Sequence, residues 1–332
     1  MPKTSTIEEL HNQPKAIIAS HTSLLARSLD NRLQQQQINT QLYYLPSAAG
    51  DSSHYSKFPQ EKNLGSLTQL KTQEIDYFFY LYPSLGAVNP SEYERFFHSL
   101  PHHCKIVIVD NYRYQERLDL ILNSIKDRDF RVSLLTDPFG PFIPPQVTDP
   151  ILKFITQIFN HQSLSLSRDG LEKLYPTYTE DLVSGIIKAT FNSGTKSQTF
   201  ILSTLESVTQ IDFAHKLRSQ ASDFIEFPPT FEFGSLSSFP TIPPDIDQIA
   251  TTQAQLNWVP STPLEVALSH TITITKEWYK PDNHPYPTNI SIEIPKPVIE
   301  PPPPKSIPKE SKLQSLHVPA ELLKTRHHHP YL

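Results

Sequence analysis

A mostly parallel α/β sheet is the fold class that this 332-residue chain predicts, and three observations carry it. From Lys15 to about Lys280, short apolar runs of strand type alternate with stretches whose apolar residues recur at helical spacing. Lys105–Val109 (KIVIV) is an unbroken apolar run after its lysine and reads as a central strand. Close behind it, Tyr114–Lys126 sets Leu118, Ile121, Leu122 and Ile125 on one helical face.

The remaining elements follow in order. Residues 15–45 read as a strand (Ala16–Ala19), a polar turn, a helix bearing Leu24, Leu25 and Leu29, and a second strand (Gln41–Leu45). Asp76–Tyr82 is a buried strand, and Pro90–Leu100 a helix with Ser91 and Glu92 in its first turn. Phe130–Leu135 returns as a strand, and residues 136–138 turn the chain. Asp149–Asn160 is helical, with Asp149 as cap and Pro150 in the first turn. Thr179–Phe191 is a helix with Thr179 as its cap and acids following it. Gln198–Leu202 is a short strand and Thr209–Gln220 a helix. Pro263–Tyr279 reads as the last helix, with a strand as the competing reading of its Thr/Ile stretch. No internal repeat is visible. Beyond Lys280 the composition changes: 12 of the 32 prolines fall in the last 52 residues, including Pro301–Pro304. That segment lacks the apolar residues for a core, so an extended, polyproline-rich or disordered tail is expected. The predicted organisation is an extension (1–14), one α/β domain (15–280) and the tail (281–332).

Composition narrows the function classes. The formal net charge is −5 with acids and bases interspersed, which argues against nonspecific nucleic-acid binding. The longest apolar run, Tyr77–Tyr82, is far shorter than the ~20 residues that span a bilayer. The first residues carry no apolar signal region. Cys104 is the single cysteine, which excludes an intramolecular disulfide, and it reads as a small buried hydrophobe. Together these predict a soluble, cytoplasmic protein that binds neither nucleic acid nor membrane.

The chemistry turns on what is missing. The first glycine is Gly50, yet residues 15–45 have the layout of a dinucleotide-binding β-α-β unit. Such a unit uses glycines so that the backbone turns tightly and a pyrophosphate approaches it. Here the pattern G-x-x-G-x-x-G is occupied by Ser20, Ser23 and Ala26. Ser20, His21, Thr22 and Ser23 still form a polar turn at a helix N-terminus, where N–H groups and the dipole favour an anion. They are the candidate cofactor-binding residues. The competing reading makes Ser20 or Ser23 a helix cap. At the end of the second strand Leu45 is followed by Pro46, with no acid to hold a ribose.

Several motifs, in order, carry a resemblance to the extended short-chain dehydrogenase/reductases, the nucleotide-sugar epimerases and dehydratases. Residues 76–81 (DYFFYL) resemble the family's D-x-V-x-H-L-A strand, and Phe139-Gly140-Pro141 its Y-G-P. Residues 164–170 (LSLSRDG) are similar to a hairpin p-l-x-i-x-G-d-G, and residues 178–182 (YTEDL) to V-x-D-D-L-A. Residues 255–260 (QLNWVP), followed by Pro263-Leu264-Glu265, resemble its x-L-G-W-x-P and L-E. The resemblance implies a Rossmann-like, doubly wound sheet with a small C-terminal lobe built mainly from about 140–178 and 203–280. It also implies hydride transfer with NAD(P), a Tyr-x-x-x-Lys proton relay on one helix face, and pairing through two helices.

The relay is absent. No tyrosine is followed by lysine four residues on: Tyr112 meets Glu116 and Tyr114 meets Leu118. Asp110-Asn111-Tyr112 stands where the family has a serine pair, and Tyr112 is left as the one weak catalytic candidate. A glutamate beside it raises a phenol's pKa, the reverse of what a base near neutral pH needs. Phosphate turn, ribose acid and proton relay all fail together. The expectation is therefore a non-catalytic relative without cofactor, acting as a binding or scaffolding subunit. The alternative is a divergent nucleotide-sugar epimerase or dehydratase using NAD(P). The resemblance points to Pro90–Leu100 and Tyr114–Lys126 as the helices for a second copy or an active paralogue. In the tail, Lys296–Pro308 suits an aromatic groove on a partner protein, or serves as a spacer. No metal site is expected from His98, His102 and His103 or from His327–His329. Gln34–Gln37 reads as a solvated helix end, and Trp258 and Trp278 as packing anchors of the C-terminal lobe.

Overall fold

The structure, a computed structural model, describes residues 13–46, 62–83, 86, 89–141, 149–222, 225, 229–234 and 243–278. The chain divides into a unit of residues 1–290 and one of 291–332, and every described residue lies in the first. The tail motifs, including Lys296–Pro308 and His327–His329, lie outside the described residues.

The central sheet has seven parallel strands: β1 (Lys15–Ser20), β2 (Asn39–Tyr44), β3 (Lys62–Asn63), β4 (Tyr77–Leu81), β5 (Lys105–Asn111), β6 (Phe130–Leu135) and, further along the chain, Gln198–Leu202. Their spatial order is β3-β2-β1-β4-β5-β6 with Gln198–Leu202 outermost beside β6. This is the doubly wound arrangement, whose strand order reverses between β1 and β4. Period-2 alternation sends each strand's residues to two apolar clusters. Ile18, Phe79, Leu81, Val107 and Val109 enter one, while Ile17, Phe78, Tyr80, Ile106 and Ile108 enter the other. Both faces are covered, so these strands read as unbroken apolar runs.

Helices α1 (Ala26–Gln35) and α2 (Pro90–Ser99) lie on opposite faces, packed in the first and second clusters respectively. Asn89 caps α2 by accepting from Glu92 N–H, and Pro90 occupies the first turn. After β5 the expected helix 114–126 is instead a 3₁₀ stretch, Tyr112–Leu118, followed by α3 (Asp119–Ile125). Leu118, Ile121 and Ile125 still reach the second cluster and Leu122 packs partly against it. The apolar face was legible, whereas the change of helical pitch has no periodic signature.

From β6 the chain enters β7 (Pro138–Phe139), α4 (Pro150–Phe159), β8 (Leu164–Ser167), β9 (Lys173–Leu174) and β10 (Thr177–Tyr178). It continues through α5 (Thr179–Phe191), β11 (Gln198–Leu202), β12 (Val208–Thr209), α6 (Gln210–Ala221), β13 (Phe231–Gly234), α7 (Ile246–Leu256) and α8 (Leu264–Trp278). Asp149 caps α4 as the sequence predicts, accepting from Ile151 N–H at 3.0 Å. The last helix is α-helical throughout, which settles its competing strand reading.

Two expectations are corrected, and one helix has no sequence counterpart. The turn of the expected hairpin at 164–170 forms, with Gly170 at φ +73° and its N–H on Ser167 O. The returning residues do not pair with β8, however: β8 takes β13 in parallel and β9 takes β12 antiparallel. Thr179 is not the cap of α5 but its first residue, packed so tightly on Gly140 that a Cβ there would lie 2.0 Å from Thr179 Oγ1. Helix α7 went unread, because only Ile249, Thr252 and Leu256 of its eleven residues are buried. Trp258 does anchor packing: its Nε1–H donates to Asp181 O, and its ring lies over Gly185. Trp278 ends α8, and its side chain lies outside the described residues.

Candidate functional site

The strand-order reversal places the C-terminal ends of β1 and β4 side by side, the position where open α/β sheets bind ligands. The turn Ser20–Ser23 and Tyr82 meet there. All four turn residues are buried, His21 at 5 % exposure. Neither Ser20 nor Ser23 caps α1, contrary to that reading: the helix starts at Ala26 behind Leu25, with no side-chain cap. Ser20 instead closes the turn on itself. Its hydroxyl donates to Thr22 O at 2.6 Å and accepts from Thr22 N–H at 3.2 Å. Thr22 Oγ1 accepts from Leu24 N–H, and His21 N–H donates to Leu81 O. Three backbone donors that could face an anion are thus spent internally.

His21 fills the turn from within. A carbonyl can only accept, so Nδ1–H donates to Pro46 O at 2.7 Å. Nε2 is then the acceptor for the Tyr80 hydroxyl, 3.1 Å away. The Tyr80 hydroxyl in turn stands 3.5 Å from that of Tyr93 on α2. Burial holds the His21 pKa down at about 4, with the Pro46 hydrogen bond opposing the shift, so the ring is neutral. Gly86 lies against the ring: a Cβ there would come within 2.5 Å of His21 Cε1 and 2.6 Å of Nε2. Here a glycine is required by close approach.

Tyr82, one residue past β4, adds a second filling group. It is buried, holds the left-handed backbone at φ +54°, and anchors its N–H on Val109 O at 2.6 Å. A bulky residue in that region carries strain of ~1–2 kcal/mol, tolerated where packing fixes it. Its hydroxyl has no hydrogen-bond partner among the described residues. Burial, then Asp110 and Asp149, push that phenol's pKa up.

Beyond Tyr82, Arg113 from the 3₁₀ stretch donates to Asp137 Oδ1 at 2.6 Å, both side chains nearly inaccessible. Asp137 Oδ2 accepts from Tyr175 N–H at 2.7 Å, so the pair ties β6 to the segment before β10. Asp149 adds a second carboxylate; its Oδ2 is enclosed without a hydrogen-bond partner among the described residues. Burial raises Asp149 to about 6, against the pull of Arg113 and with the push of Asp137.

Tyr112, the catalytic candidate, opens the 3₁₀ stretch and packs partly buried on the second apolar cluster. In a 3₁₀ helix the fourth residue on does not share a face, so Glu116 is not its helical neighbour. Cys104 is wholly buried, which pushes its thiol up to about 12 and makes it a packing residue. No cluster of three or more metal-ligating side chains occurs among the described residues.

The sequence singles out Ser20–Ser23 as a turn and Asp149 as a helix cap, but not Tyr80, Tyr82, Arg113 or Asp137 as parts of one region. Tyr82 could have been singled out: it stands at the alanine of the D-x-V-x-H-L-A pattern, as Tyr80 stands at its histidine. Arg113 and Asp137 gave no local signal, since they meet only through the fold.

No protein-family model matches the chain, and no curated protein matches it. Solved structures do. The epimerase Mth375 of Methanothermobacter thermautotrophicus is similar at 13 % identity and TM-score 0.61, over 82 % of this chain and 95 % of its own. A dTDP-glucose 4,6-dehydratase of Bacillus anthracis, solved with NAD, is 12 % identical with TM-score 0.62, over 81 % and 99 %. The Bordetella bronchiseptica enzyme WbmF, solved with NAD+, is 13 % identical with TM-score 0.58, over 80 % and 93 %. At such identities the likeness carries the architecture, and this chain has the Rossmann-like fold of these epimerase and dehydratase structures.

Proposed function

We propose that this chain is a non-catalytic relative of the epimerases and dehydratases whose fold it shares, acting as a binding or scaffolding subunit. The observation that carries this is the self-satisfied turn: the His21 ring, held by Pro46, Tyr80 and Gly86, where such a unit cradles a pyrophosphate. Those residues do not fit a dinucleotide. Side chains at Ser20, Ser23 and Ala26 hold an anion away from a backbone whose donors are already engaged. Tyr82 and the Arg113–Asp137 pair fill the neighbouring strand ends, and no tyrosine is followed by a lysine four residues on. The partner in this reading is a second copy or a competent relative, docking on α2 and α3, where Leu120 is 43 % exposed. The proline-rich tail offers a second, independent attachment to a protein with an aromatic groove.

The NAD-bound neighbours keep one rival reading in play, a divergent NAD(P)-dependent enzyme. Thermal-shift and calorimetric titration with NAD(H) and NADP(H) separates the two. A ligand at a hundredfold over its Kd stabilises by ~2.7 kcal/mol, several degrees in Tm. The scaffold reading expects no shift at millimolar cofactor; a saturable shift overturns it.

A further inference from the structure

The opposite end of the sheet carries a cavity of about 510 Å³ at the start of β1 and β2. We infer that it binds a phosphate-bearing small molecule, separately from the switch-point region. The cavity's size falls in the usual range for small-molecule sites. Its origin lies in the sequence of β2, N-T-Q-L-Y-Y. Leu42 and Tyr44 turn to the α1 side, while Asn39, Gln41 and Tyr43 line the cavity. Asn39 and Gln41 are exposed, as are Lys62 and Asn63 of the neighbouring β3.

What the cavity offers is donors. Lys15, Lys62 and Lys71 surround it. Lys15 is paired with Glu74 at 2.8 Å, while Lys62 and Lys71 have no carboxylate partner among the described residues. The Lys62 ammonium lies 5.5 Å from the centre of the Tyr43 ring. Two lining amides have their oxygens occupied. Gln41 Oε1 accepts from the Tyr43 hydroxyl at 2.6 Å, and Gln69 Oε1 from Gly65 N–H at 2.8 Å. Each amide also carries an NH₂ group with two N–H donors. Two ammonium groups without a carboxylate partner among the described residues, beside side-chain amides, favour an anion over a neutral or cationic ligand and suit the several oxygens of a phosphate.

The test is calorimetric titration of the full chain with pyrophosphate, ADP and adenosine at low ionic strength. Saturable binding of pyrophosphate and ADP is expected, with adenosine inert and affinity falling as salt rises. The double substitution Lys62→Gln with Lys71→Gln should weaken binding at least tenfold. Both residues are exposed, so an unchanged Tm verifies the fold of the variant. ADP binding that survives the double substitution puts the anion elsewhere and overturns the inference. So do adenosine binding as tightly as ADP, or no pyrophosphate binding at millimolar concentration. None of these outcomes depends on NAD(P) titration, so the two proposals fail independently.

Discussion

The turn after β1 and the entry to α4 each bury a titratable side chain, and they treat it in opposite ways. At the turn, His21 is stripped of charge by burial, but both ring nitrogens find partners in Pro46 and Tyr80. At α4, Asp149 keeps one oxygen on the Ile151 amide while the other, like the nearby Tyr82 hydroxyl, is enclosed without a partner among the described residues. The first cluster behaves as finished structure. The second retains unspent polar capacity of the kind associated with strain or unmet function. Satisfaction of hydrogen bonds therefore distinguishes a plug from a remnant more sharply than burial does.

The contrast is broken or sharpened first by pH. His21 has a folded pKa near 4, below its unfolded value near 6.5. The unfolded chain then binds more protons between these values, so stability falls as pH drops from about 6.5 to 4, by up to ~3 kcal/mol. Asp149 has the reverse sign. Its folded pKa of about 6 exceeds the unfolded 3.8, so its contribution to stability is lost as pH rises from about 3.8 to 6. Urea unfolding of His21→Gln across pH 4 to 7 should lose the downward slope on acidification and expose the opposing slope of Asp149. A variant with the wild-type pH profile would show that His21 is not buried neutral.

Next in size is Gly86→Ala. The added Cβ would meet the imidazole at 2.5 Å, so either the loop or the ring must move, at about 1–3 kcal/mol. A fall in Tm checks it. A Tm unchanged within error would mean that the turn is not closed against Gly86. Asp149→Asn should act in the other direction. The amide oxygen still caps α4 while the buried charge disappears, raising stability at pH 7 by ~1–3 kcal/mol and leaving it nearly unchanged at pH 4. Equal effects at both pH values would remove Asp149 from the titrating set.

How far the sequence reveals these clusters follows from the range of the interactions. The Asp149-Pro150 start of α4 is a local signal and was legible, as were the strands whose two faces are both apolar. The loss of glycines in the turn was also visible, because it concerns positions a few residues apart. What replaces the glycines was not visible. His21 meets Pro46 across 25 residues and Tyr80 across 59, and Arg113 meets Asp137 across 24. Such pairs exist only once the sheet order brings β1 beside β4 and β5 beside β6. The α7 helix was missed for a different reason: with three buried residues in eleven its amphipathic face is too thin to announce itself.

The finest cut between the clusters is a pair of hydroxyl deletions. Tyr80 and Tyr82 are two residues apart, both buried, and both carry phenols whose pKa burial drives up. They differ in hydrogen bonding. Tyr80→Phe leaves His21 Nε2 without its donor inside the fold, and an unmet buried acceptor costs about 1–3 kcal/mol. Tyr82→Phe removes a hydroxyl that has no partner among the described residues, so its deletion should be neutral or stabilising within ~1 kcal/mol. Chemical denaturation at pH 7 reads both. If Tyr82→Phe proves the more damaging of the two, its hydroxyl has a partner, and the α4 side is the one that the fold depends on.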